Sequence, residues 1–265
     1  MQLSHSAPAP NWKCPHCSTP LNWQEAISKM NVSDLRGSKD MSPSPLTAHV
    51  QVQNLLAEAT KRFQQGQVKT ATFMFEEAAK LMEQLPEFLS PTPDSPFPKK
   101  LASLYLQIGD CYSQLNNFQS ALIWYVKGQD FLAKHCLERD VMAYVSMGDA
   151  FRNLAQWDNA ISLYSQGFEL ATASNKSIPY HDVAYNLACC YEEKGDLNGA
   201  IQWLEKCLGY NPNDADALFN LGMFSARSAN YVRAAQALQA FLKIEPNGDG
   251  AKQAQVALSQ IYQKM

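Results

Sequence analysis

One short pattern returns four times along this chain and constrains it more than any other feature. Ile108-Gly109-x-x-Tyr112, Met147-Gly148-x-x-Phe151, Leu187-Ala188-x-x-Tyr191 and Leu221-Gly222 each set a small residue twelve positions ahead of an alanine, namely Ala121, Ala160, Ala200 and Ala234. Pro212 and Pro246 follow the last two alanines, 34 residues apart. A period near 34 that alternates large, small and aromatic residues is the mark of a repeated helix-turn-helix unit. A small residue at the eighth place lets helix A of a unit approach its own helix B, and alanine at the twentieth lets B approach back. Large apolar residues fill the space between. Proline near the thirty-second place cannot continue helix B, so the chain turns into the next unit.

The pattern resembles the tetratricopeptide repeat. The resemblance implies an all-α fold: an α-α solenoid, or superhelix, of about five helix-turn-helix repeats plus a C-terminal capping helix. Residues 47–84 match as a degenerate first unit. Ala59, Gly66, Ala71, Phe75 and Ala78 keep their places, but Glu58 stands where a large apolar residue belongs. Five prolines between Pro86 and Pro98 mark 85–98 as an extended insert. Four regular units then fill 99–248, at about 99–135, 138–174, 179–211 and 214–245. The small-residue place advances by 39, 40 and then 34 residues, so helix B or its loop is longer in units two and three. Residues 249–265 form an amphipathic helix, apolar at Ala254, Ala257, Leu258 and Ile261, suited to cover the last repeat.

Residues 1–46 read differently. They hold six of the 14 prolines and end in Ser42-Pro43-Ser44-Pro45, a flexible lead-in. Within them Cys14-Pro15-His16-Cys17 looks like half of a zinc ribbon, because Cys-x-x-Cys in a tight turn presents two thiolates to one ion. A second such pair about 15–20 residues later would complete it, and none follows. Three readings stay open: a zinc site completed by His5 and His49 or by a second chain, a degenerate knuckle with free thiols, and a redox pair. The last lacks its usual βαβ setting.

No apolar run approaches the ~20 residues needed to span a bilayer, so no membrane role is expected. Met1-Gln2-Leu3-Ser4-His5-Ser6 has neither a basic start nor an apolar stretch, so no secretory signal is expected. Seven scattered cysteines suit a reducing, cytoplasmic setting better than a disulfide framework. A net charge of −3 without a Lys/Arg cluster gives no case for nucleic acid. There is no Gly-rich phosphate loop, metal-ligand helix pair or nucleophile elbow, and a non-enzymatic chain is expected. Cys190 falls where a buried small residue is usual, and Asp182 next to His181 suits a helix start. The sequence does not specify an oligomeric state.

The resemblance also implies which helix A positions line the concave groove that holds a partner. In units three to five these include Asp149 and Arg152; Asp182, Tyr185, Asn186 and Cys189; and Asp216, Phe219, Asn220 and Met223. Asn186 and Asn220, one repeat apart, suit hydrogen bonds to the backbone of an extended peptide, or they simply follow the repeat's residue preference. With their side chains facing water, changing both to alanine is expected to leave melting nearly intact. Over units two to five the groove positions hold six acids (Asp110, Asp149, Asp182, Glu192, Glu193, Asp216) and two cations, Arg152 and Arg227. The Lys/Arg clamp with which some members of this family hold a carboxylate tail is missing. The expected partner is a neutral or basic peptide, or a protein subunit, anchored on Tyr185 and Phe219. The expected role is a scaffold or adaptor for complex assembly. Its alternative is a zinc-binding regulatory or assembly factor that uses Cys14 and Cys17 as a second contact or dimerisation site.

Overall fold

The computed structural model describes residues 45–85, 96–135, 137–175 and 178–265. Among these there are eleven helices and no strand. The fold is all-α, of the helical-repeat solenoid class. The chain divides into two compact units, with the boundary between residues 138 and 139.

The first unit holds α1 (Pro45–Gln64), α2 (Val68–Glu83), α3 (Phe97–Gln114) and α4 (Phe118–Lys134). The pairs α1–α2 and α3–α4 are hairpins, and α2 packs on α3. Val52, Ala59, Phe75, Met82, Leu101, Tyr105 and Ile108 form their common core. Glu58, the odd residue of the first repeat, lies at the surface in an ion pair with Arg62, Oε1 to Nε 2.7 Å.

The second unit holds α5 (Val141–Asn153), α6 (Trp157–Ala173), α7 (Tyr180–Glu193), α8 (Leu197–Tyr210), α9 (Ala215–Arg227), α10 (Tyr231–Ile244) and α11 (Asp249–Tyr262). Its hairpins are α5–α6, α7–α8 and α9–α10, with α6 on α7 and α8 on α9 between them. Helix α11 lays Ala254, Leu258 and Ile261 against Leu238 and Phe241 of α10 and Leu218 of α9. About half of the extra length of the middle repeats falls in helix B and the rest in the loop after it: α4 and α6 have 17 residues, α8 and α10 have 14.

Every A–B turn is built alike. Gly66, Asn116, Ala155, Gly195 and Ala229, all at the fifteenth place, take positive φ between 50° and 80°. The next backbone N–H reaches back to the carbonyl five residues earlier, as in Asn117 to Tyr112, Gln156 to Phe151 and Asp196 to Tyr191, each at 2.9 Å. This is a Schellman closure, which satisfies the last carbonyls of helix A and reverses the chain in two residues. Asn117, Asp196 and Asn230 then cap helix B, each accepting from the N–H three residues on.

The small residues at the eighth place serve one contact. A methyl group added at Gly109 would meet the ring of Tyr125 at 2.6 Å, at Gly148 the ring of Tyr164 at 2.7 Å, and at Gly222 the side chain of Leu238 at 2.5 Å. The alanines at the twentieth place are all fully enclosed.

Two boundaries differ from the sequence reading. Helix α1 starts at Pro45, inside the lead-in expected to reach residue 46, because proline is tolerated in a first turn whose N–H groups have no helical partner. For the same reason α3 starts at Phe97 with Pro98 buried in its first turn, inside the insert expected to be extended through 98. The knuckle of Cys14 and Cys17 and most of the insert lie outside the described residues. Among the described residues, no helix is long and apolar enough to cross a membrane.

Candidate functional site

Helices α5, α7 and α9 are the A helices of the second unit, and the ten groove residues expected from the sequence all lie on them. Hydrogen bonds join these helices side by side. Asn186 Nδ2 donates to Asp149 Oδ1 at 3.2 Å, joining α7 to α5. Asn220 Nδ2 donates to Tyr185 Oη at 2.8 Å, joining α9 to α7. Arg227 pairs with Glu192 at 2.6 Å across the same two helices. The two asparagines are thus half-buried, each giving one amide N–H to the neighbouring repeat, with its carbonyl oxygen still an acceptor. Their expected exposure to water is corrected on this point.

Asp149 is more constrained than its sequence position suggested. It accepts the hydroxyl of Tyr164 at 2.6 Å, and the same pair recurs one repeat earlier, Tyr125 to Asp110 at 2.7 Å. The tyrosine that covers the glycine of each of these repeats thereby reaches the acid beside that glycine. Burial raises the pKa of Asp149, opposed by the Tyr164 hydrogen bond and by Arg152, whose Nε lies 4.0 Å away.

Tyr185 and Phe219 are half-buried. Tyr185 packs on the core that α7, α8 and α9 share, and burial raises its pKa to about 12. Phe219 meets Phe241 of α10 edge-on, with ring centroids 5.2 Å apart, and Met223 packs on the same core. Cys189 is half-buried, and burial raises its pKa. Burial pushes the neighbouring Cys190 thiol up to about 12, which keeps it protonated near neutrality and fits a packing residue. Asp182, Glu193 and Asp216 are exposed. Both wall cations stand beside carboxylates, so the exposed charge left on these helices is acidic.

The sequence reading missed a second grouping. His181 at the start of α7, Cys207 near the end of α8 and Asp214 at the N-cap of α9 bring a ring nitrogen, a sulfur and a carboxylate oxygen within 4.8 Å of one another. His49 meets the ring of Phe97 edge-on at 5.8 Å, and the Cys14 and Cys17 knuckle for which it was weighed as a ligand lies outside the described residues.

Comparison with known proteins bears on the fold. The family profile described as "Tetratricopeptide repeat" matches residues 102–130, and that described as "Domain of unknown function (DUF6340)" matches residues 146–239. Among solved structures, a tetratricopeptide repeat protein from Parabacteroides merdae ATCC 43184 is similar at TM-score 0.59 and 14% identity, over 79% of this chain and 74% of that one. The MamA protein is similar at TM-score 0.58 and 17% identity, over 74% and 92%. YrrB, described as a TPR protein with an unusual peptide-binding site, is similar at TM-score 0.56 and 17% identity, over 76% and 90%. At these identities the likeness is one of fold, and the fold is that of the tetratricopeptide repeat.

Proposed function

We propose that this chain is a non-catalytic interaction scaffold in which α5, α7 and α9 form a wall that receives an extended, basic or neutral segment of a partner protein. The observation that carries this reading is the charge left on the wall. Arg227 is paired with Glu192, Arg152 lies beside Asp149 and Asp182 beside His181, while Glu193 and Asp216 remain exposed. Opposite charge on a partner would speed its approach and set its register. The carbonyl oxygens of Asn186 and Asn220 are acceptors for backbone N–H groups of that segment. The half-buried rings of Tyr185 and Phe219 offer it apolar area. The peptide-binding site named for YrrB, a protein of the same fold, supports the class of partner and nothing narrower.

The test is an array of twelve-residue peptides of graded charge, read by fluorescence anisotropy with the full chain. Lysine- and arginine-bearing peptides are expected to bind, and binding should weaken as salt rises. The double change Glu193→Lys plus Asp216→Lys is expected to reduce affinity about tenfold or more, with helical content unchanged. Binding of acidic peptides as tight as that of basic ones, or indifference to the charge reversal, would contradict the reading.

A further inference from the structure

We propose that His181, Cys207 and Asp214 form a binding site for a divalent cation of the zinc class, tying the start of α7, the end of α8 and the start of α9 together. The donor set is the first argument. Imidazole nitrogen, thiolate sulfur and carboxylate oxygen are the ligands that zinc takes, and three protein ligands leave a fourth position for water. The three donor atoms already lie within 4.8 Å of one another.

Orientation is the second argument. His181 Nδ1 lies 3.0 Å from Asp182 Oδ1, so a carboxylate holds the ring from its outer side and turns Nε2 inward. A histidine that binds metal ordinarily has this outer partner, which fixes tautomer and ring plane. Nε2 is shut off from solvent and lies 2.6 Å from Asp214 Oδ2 without the alignment of a hydrogen bond. The two oxygens of Asp214 divide their work. Oδ1 accepts from Ala217 N at 2.6 Å and caps α9, which leaves Oδ2 for the site.

The third argument comes from the repeat itself. Cys207 occupies the twenty-seventh place of its repeat, where the first three repeats carry Ala78, Gly128 and Gly167. His181 occupies the first place, where the preceding repeat carries Val141. At these two places the other repeats carry small or apolar residues, Phe241 of the fifth repeat included, and the fourth repeat alone supplies sulfur and nitrogen at the two places together. Binding requires neutral imidazole and thiolate, so the thiol proton leaves to solvent as the ion enters.

The test uses the full chain carrying Cys14→Ala and Cys17→Ala, so that the N-terminal thiols cannot contribute, with Co²⁺ as the spectroscopic probe. The expected result is a thiolate-to-cobalt charge-transfer band that saturates at about one ion per chain and is displaced by an equal amount of Zn²⁺. Cys207→Ala in that background is expected to abolish the band while circular dichroism stays unchanged, since alanine already fills this place in the first repeat. Asp182→Asn, which leaves all three donors in place, should weaken binding about tenfold to a hundredfold. Zn²⁺ should raise the melting temperature of the parent and not of the Cys207 variant. Absence of the charge-transfer band, or a band undiminished by Cys207→Ala, would overturn the proposal.

Discussion

At the fifteenth place of each repeat the backbone turns left-handed, and the residues found there meet that demand unequally. Gly66 and Gly195 adopt positive φ without strain, whereas Ala155 at 54° and Ala229 at 59° bring Cβ against the following carbonyl. Ala155→Gly plus Ala229→Gly should therefore stabilise the protein by about 1 kcal/mol in all, seen as a rise of a few degrees in melting temperature. A fall would mean that the alanine methyls make contacts worth more than the strain. The asparagines give the opposite case. Asn186→Ala plus Asn220→Ala removes two hydrogen bonds between helices and should lower stability by about 1–3 kcal/mol, measured by urea unfolding. The sequence showed where these amides stand but not what they bond. A polar residue at a wall position reads the same whether its partner is water, a ligand or the next repeat. His181, Cys207 and Asp214 escaped the sequence for a related reason. Each has an ordinary explanation alone, as helix start, small core residue and N-cap, and their spacing crosses from one repeat into the next.

At the scale of elements, residue size at a fixed spacing was the legible signal, because steric exclusion leaves few alternatives. The glycine of helix A lies under a ring or leucine of helix B, and the enclosed alanine of helix B faces the same hairpin contact. Ala200→Leu is expected to destabilise by about 1–3 kcal/mol by forcing α7 and α8 apart. Gly148→Ala should cost a similar amount by displacing the Tyr164 ring, and with it the hydrogen bond to Asp149. Thermal unfolding of both variants checks the register of their repeats, and unchanged melting in either would show that the hairpin tolerates a wider gap. Helix ends were less legible. Proline was read as a barrier through residues 46 and 98, although Pro45 and Pro98 sit in first turns where their missing N–H removes no bond.

At the scale of the whole molecule, the described residues are a set of similar hairpins that differ in what each repeat adds to a common frame. The second unit adds carboxylates, two asparagines and two half-buried rings along α5, α7 and α9, and these carry the proposed partner surface. The most direct measurement is hydrogen–deuterium exchange of the full chain with and without a saturating basic peptide. Slowed exchange is expected to concentrate in α5, α7 and α9, with α6, α8 and α10 little changed. Protection confined to the B helices, or spread evenly over the chain, would contradict a binding wall made of the A helices.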